Sequence, residues 1–273
     1  MKREFVDLEP LTDDVDRVDF GSDTNRMALV VELPAPVVPR RNVPMLVQDS
    51  LLDAAGYTYD ADRKLLSHKP LLRGWLHLLW FEISLVAGTL LIVWAAPDRR
   101  LVTIVYVASV SGLFGTSALY HRGNWRPRTH RLLQRTDHAM IFLLIAGTET
   151  PIFIVTMPGP PGRIMLATVW TLTGIALLLH LSWMSAPEVV VGSTFVALGC
   201  LGFAALPGIW MHAGVGAFAL VLSGGLCYLV GAVCYHRRRP DPRPNVFGFH
   251  EVFHSFVCVA AALQYAALAF AIL

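Results

Sequence analysis

The chain has 273 residues, of which 55% are hydrophobic and only 15% charged, with a formal net charge of +2. That is far more apolar than a soluble domain of this length requires. Thirteen of the 20 acidic residues lie in residues 1–68, and the body that follows holds only Glu82, Asp98, Asp137, Glu149, Glu188, Asp241 and Glu251, so a polar tail precedes an apolar body.

Residues 1–68 are acidic and proline-containing without periodicity, which predicts a largely disordered tail. Within it, residues 45–67 are compatible with a short interfacial helix. No apolar signal segment follows Met1, so the first apolar run is expected to direct membrane insertion. From residue 69 onward, apolar runs alternate with short polar loops. The runs cover residues 75–96, 101–120, 137–157, 164–183, 189–206, 215–235 and 250–273. Each is long enough for a helix to cross about 30 Å of hydrocarbon, and none alternates as a barrel strand would. The expected fold is therefore an all-α, polytopic membrane protein, a bundle of seven transmembrane helices in the cell membrane.

Lysine and arginine set the orientation. With the N-terminus inside, the cytosolic side carries Arg63, Lys64, Lys69 and Arg73, then Arg122, Arg126, Arg128, Arg131 and Arg135, then Arg237, Arg238, Arg239 and Arg243. The outside carries Arg99, Arg100 and Arg163. The N-terminus is thus expected inside and the C-terminus outside. The basic cytosolic loops suit anionic lipid headgroups rather than nucleic acid. The four cysteines, Cys200, Cys227, Cys234 and Cys258, lie in apolar runs without C-x-x-C spacing and read as reduced core residues.

Ionisable groups at span ends are candidates for function, because they are costly in lipid. His121 closes the second run, Asp137 opens the third, and His250 and His254 open the seventh. Under this topology all four reach one depth at the cytosolic side. His250 and His254 are i, i+4, which places two imidazoles on one helix face; Ser117 and His121 share that spacing. Three imidazoles and a water form a recurrent catalytic zinc shell, in which the water's pKa falls to about 7. Asp137 is expected to ligate directly or to hold the water as general base. Ser117 is expected to orient the water or to donate to a substrate carbonyl. The bland alternatives are headgroup-level histidines, an Asp137 helix cap and a Ser117 that only packs.

These residues also carry a resemblance. Ser117-x-x-x-His121, Asp137 and His250-x-x-x-His254, with the strings KPLLRGWLH (69–77), SALYH (117–121), RTDH (135–138), AGT (146–148) and FGFHEVFH (247–254), resemble the hemolysin III branch of the progestin and adipoQ receptor families. The resemblance covers residues 69–273. It implies a seven-helix body with zinc on His121, His250 and His254, and with Asp137 reaching the metal through water. It also implies kinship with a superfamily that includes ceramidases. The chain departs from the related receptors, which have Glu and Asn ahead of the first-span histidine, where this sequence has Lys69, Pro70 and Arg73 before His77. Glu82 and Glu149 have no assigned partner.

Three functional classes follow. The first is a zinc-dependent hydrolase of a membrane lipid amide or ester. The second is a non-enzymatic lipid or stress sensor with structural zinc. The third is a cytolytic, membrane-perturbing protein, for which a polar stripe through the bundle is expected and only isolated acids are present. His250 to His254 also matches H-E-x-x-H, the metalloprotease pattern with Glu251 as the water-activating base, but no acidic residue or histidine follows His254 to complete it. Cys258 continues the same face but lies about 6 Å deeper and reads as packing. His77 is a weaker candidate for the cavity, and His130, His180, His212 and His236 have no convergent partners in the sequence pattern.

Overall fold

The computed structural model describes residues 57–60, 65–183 and 186–272. The remainder of the expected disordered tail lies outside the described residues. The chain divides into two compact units, Met1–Lys69 with Asn124–Pro127, and Pro70–Gly123 with Arg128–Leu273. In the first, β1 (Tyr57–Asp60) pairs antiparallel with β2 (Leu65–His68), Tyr57 opposite His68 and Asp60 opposite Leu65. Of residues 45–67, compatible with a short interfacial helix, residues 57–60 and 65–67 are strand and the others lie outside the described residues; Tyr57, Thr58 and Tyr59 are strand formers.

The second unit is the helical body. It comprises α1 (Trp75–Trp94), α2 (Arg100–Arg122), α3 (Pro127–Thr156), α4 (Pro160–Ser182), α5 (Glu188–Gly199), a 3-10 turn (Cys200–Ala205), α6 (Leu206–His236) and α7 (Phe249–Ile272). Six segments among the described residues are long and apolar enough to cross a membrane. One of them, Val189–His236, has 48 residues. As a straight helix it would reach about 72 Å, more than twice a hydrocarbon core. It is broken by the 3-10 turn and again at Gly214, whose φ of 81° and ψ of 172° lie outside helical space. The third helix starts ten residues before the apolar run that predicts it, at Pro127. Hydropathy marks where a helix meets lipid, not where it begins, and proline is favoured in the first helical turn.

The body is packed from the inside and apolar on the outside. Tyr106, Phe114, Phe153, Val169 and Leu268 are buried, whereas Leu101, Met211 and Phe270 face outward. Such exposure suits a surrounding of acyl chains, where lipid supplies the contacts that water cannot. Because lipid is as apolar as leucine, close helix approach and polar contacts carry the packing. A Cβ on Gly231 would lie 2.9 Å from the Cβ of Phe256, so only glycine lets α6 meet α7 this closely. Gln264 donates to the carbonyl of Val221 across that interface, and the Tyr265 hydroxyl donates to the carbonyl of Ala87, tying α7 to α1. At the far end Arg99 donates to the carbonyls of Ala271 and Ile272, satisfying the last turn of α7.

Two sequence expectations change here. All four cysteines are free, but only Cys258 is buried; Cys200 is exposed on an apolar surface rather than in the core. Glu149, one residue before Thr150 and two before Pro151, is buried and accepts a hydrogen bond from the backbone of Gly202 in the 3-10 turn. Glu82 is exposed.

Candidate metal centre

The end of α2 and the start of α7 bring three imidazoles together. His121, His250 and His254 each offer one nitrogen, and the three atoms lie within 4.8 Å of one another. Residues 129 apart meet: the Nε2 atoms of His250 and His121 are 3.3 Å from each other. A tetrahedral ion with nitrogen ligands at about 2.0–2.1 Å sets an edge of about 3.3–3.4 Å between them, so this pair already stands at a metal-bridging separation. The rings are mutually edge-on, with centroids of His250 and His254 4.4 Å apart and those of His121 and His254 5.1 Å apart. His121 and His254 are buried and His250 is half-buried.

Asp137 and Ser117 border this set. The Oδ2 of Asp137 is 3.9 Å from the Nε2 of His121, and the Ser117 side chain is hydrogen-bonded to the Asp137 carboxylate. Asp137 is not part of the convergent triad. The Ser117 hydroxyl, one turn before His121 on α2, is engaged in fixing that carboxylate.

The start of α7 is positioned by contacts that span most of the chain. Glu251 accepts from the amide of Gly248, the residue before the helix, so the third helical position satisfies an N–H that the helix leaves unpaired. Asp241 accepts from the amide of Phe249. The other oxygen of Glu251 takes the guanidinium of Arg73, a pair 178 residues apart in which both side chains are buried. Beside it the amides of Leu71 and Leu72 donate to the carbonyls of Asn245 and Val246. The segment before α1 is thereby stitched to the loop before α7, and this sets where His250 and His254 point.

Gly74 completes the frame. It has a φ of +76°, and a Cβ there would lie 2.9 Å from the Cβ of His121 and 2.9 Å from the Cγ of Arg122, whose guanidinium stands 3.7 Å over the Trp75 ring. Gly74→Ala is expected to cost about 1–3 kcal/mol from backbone strain and to push His121 off the triad. The measurement is metal affinity by chelator competition beside a thermal melt. Unchanged affinity and melting would show that the His121 backbone does not depend on this contact.

Sequence reasoning named all five candidates, His121, Asp137, His250, His254 and Ser117, and they meet. It underweighted His77, which is buried with its ring stacked on His254 at 3.7 Å. Arg73 entered only as a topogenic charge and Glu251 only as a protease base; the G-x-x-E spacing from Gly248 to Glu251 was the available signal for a helix start. His180, read as without a partner, lies edge-on to His138 with centroids 5.7 Å apart. His130 is buried against Tyr120.

The fold and this cluster together define a multi-pass α-helical protein of the cell membrane with a histidine triad at one end of the bundle. The chain belongs to the Haemolysin-III related family, whose model matches residues 65–265. It is 29% identical over 171 residues to a protein named Hemolysin-3 from Bacillus cereus, covering 62% of this chain and 74% of that protein. It is 28% identical over 189 residues to a Hemolysin-3 homolog from Bacillus subtilis (strain 168), covering 67% of this chain and 84% of that one.

Proposed function

We propose that this protein is a zinc-dependent hydrolase of a membrane lipid amide or ester. On this reading the body crosses the membrane seven times, Val189–His236 accounting for two crossings, and the bias of lysine and arginine puts the N-terminus inside and the site at the cytosolic leaflet. The observation that carries this reading is the convergence of His121, His250 and His254, two of whose nitrogens stand 3.3 Å apart. Imidazole nitrogens without thiolates suit zinc among the common divalent ions. When bound by three such ligands, zinc lowers the pKa of water toward 7 and polarises a carbonyl.

This chain's own residues do the rest. His121, His250 and His254 hold the ion, and the Arg73–Glu251 pair keeps the last two aligned. The Oδ2 of Asp137 accepts a proton from the attacking water, and the Ser117 hydroxyl holds that carboxylate in place. Glu251 is engaged by Arg73 and the Gly248 amide, which counts against its acting as the base of a metalloprotease. Basic residues of the cytosolic loops, Arg126 and Arg128 among them, meet anionic headgroups.

The test is metal content of the purified protein beside a His250→Ala/His254→Ala variant, then release of fatty acid from a panel of ceramides and phospholipids. Roughly one zinc per wild-type chain and almost none in the variant are expected, with hydrolysis abolished by chelation. Equal zinc in both, or none in either, sinks the metal reading. Full zinc without turnover on any lipid favours the sensor with structural zinc. The relatives' name favours a second reading, membrane lysis; a double-histidine variant that still lyses erythrocytes would support it.

A further inference from the structure

We propose that His77 is a ligand-binding residue of this centre: its imidazole hydrogen-bonds a carbonyl or hydroxyl oxygen of a ligand held by the metal. The inference deepens the proposed function and rests on the metal being there.

His77 comes from α1, a helix that mostly faces outward, yet its own side chain is only 3% exposed. The ring lies face to face on His254, centroids 3.7 Å apart and planes 12° apart, and edge-on to Phe114 at 5.0 Å. Among the described residues neither of its ring nitrogens has a hydrogen-bond partner. Leaving a buried polar group unsatisfied costs about 1–3 kcal/mol, and such groups in native proteins call for a specific explanation, a missing water, ion or ligand among them. A slot between Phe114 and a stacked ring would be filled at lower cost by phenylalanine, so packing alone does not account for an imidazole.

The geometry also says what His77 is not. Its nitrogens are outside the convergent set formed by His121, His250 and His254, which sets it apart from the three candidate ligands. Ser117 is engaged with Asp137, and Glu251 with Arg73 and Gly248. His77 stands against the same cluster with both nitrogens buried and unpartnered among the described residues. A neutral imidazole donates from one nitrogen and accepts at the other, which matches the oxygens of an amide, an ester or a hydroxyl rather than an acyl chain.

The experiment loads the full-length protein with cobalt(II) and titrates acetohydroxamate, a small oxygen ligand of metals, following visible absorption in wild type, His77→Phe and His77→Gln. His77→Phe is expected to keep its cobalt and its ligand-free spectrum while binding acetohydroxamate about tenfold more weakly, the loss of one hydrogen bond. His77→Gln, which restores a donor and an acceptor, is expected to recover part of that loss. Where His77→Phe does not fold, His77→Met supplies the apolar comparison. Unchanged affinity in a loaded apolar variant overturns the proposal and leaves the metal site standing. Loss of cobalt from both His77→Phe and His77→Gln also overturns it, because His77 would then be needed for the metal itself. A wild-type protein that takes up no metal removes the underlying reading and this inference together.

Discussion

Replacing Arg73 with methionine is expected to destabilise the folded protein by about 3–5 kcal/mol, the usual cost of removing one partner of a buried ion pair. The Arg73 and Glu251 side chains are 9% and 1% exposed, so the carboxylate left behind would keep only the Gly248 amide. Removing both charges is a different experiment. In Arg73→Met/Glu251→Gln no uncompensated charge remains, and the glutamine oxygen can still accept from Gly248, so most of the loss should return. The measurement is reversible unfolding in detergent or bicelles by a denaturant titration of all three variants. The single variant should also bind metal more weakly, because His250 and His254 flank Glu251 on the helix that the pair anchors. A single variant as stable as wild type would mean that water reaches this pair and screens it.

That pair also marks the limit of what could be read from the sequence. Spans were legible because a helix in lipid must be apolar for its whole crossing, and His121, Asp137, His250 and His254 were legible because the orientation expected from lysine and arginine puts them at one depth. Arg73 and Glu251 were not: 178 residues separate them, and each alone had a sufficient ordinary explanation. Gly74 failed in the same way, since its need for glycine comes from His121 on another helix. The strand pair Tyr57–Asp60 and Leu65–His68 was hidden by a polar, acidic context that suggests disorder. Cysteines in apolar runs were read as core, but in a membrane protein an apolar run serves lipid and core alike, and Cys200 lies on the outer surface. His77 is a related case: depth placed it near the site, and only the stacked ring shows that it touches a candidate ligand.

The larger effect on chemistry is expected from Asp137. The Asp137→Asn protein should hold its full complement of zinc and lose turnover by about 10²–10⁴-fold, the range for removing a general base. Asparagine has the shape of aspartate and its amide oxygen can still accept from the Ser117 hydroxyl, so the local packing survives. The amide cannot take a proton from water, so only the chemical role is lost. With Oδ2 3.9 Å from His121 Nε2 and outside the convergent triad, Asp137 stands where the proposed reading has it act through one water. Ser117→Ala should show a smaller loss, about tenfold, because it frees the carboxylate without removing it. Glu251→Gln separates this scheme from the protease one: at a temperature where the variant is folded, its turnover per bound zinc should fall far less than that of Asp137→Asn. Turnover measured beside zinc content on the same preparations decides the matter. If Asp137→Asn hydrolyses lipid as fast as wild type, Asp137 is only the structural neighbour of His121, and the base must be sought elsewhere around the triad.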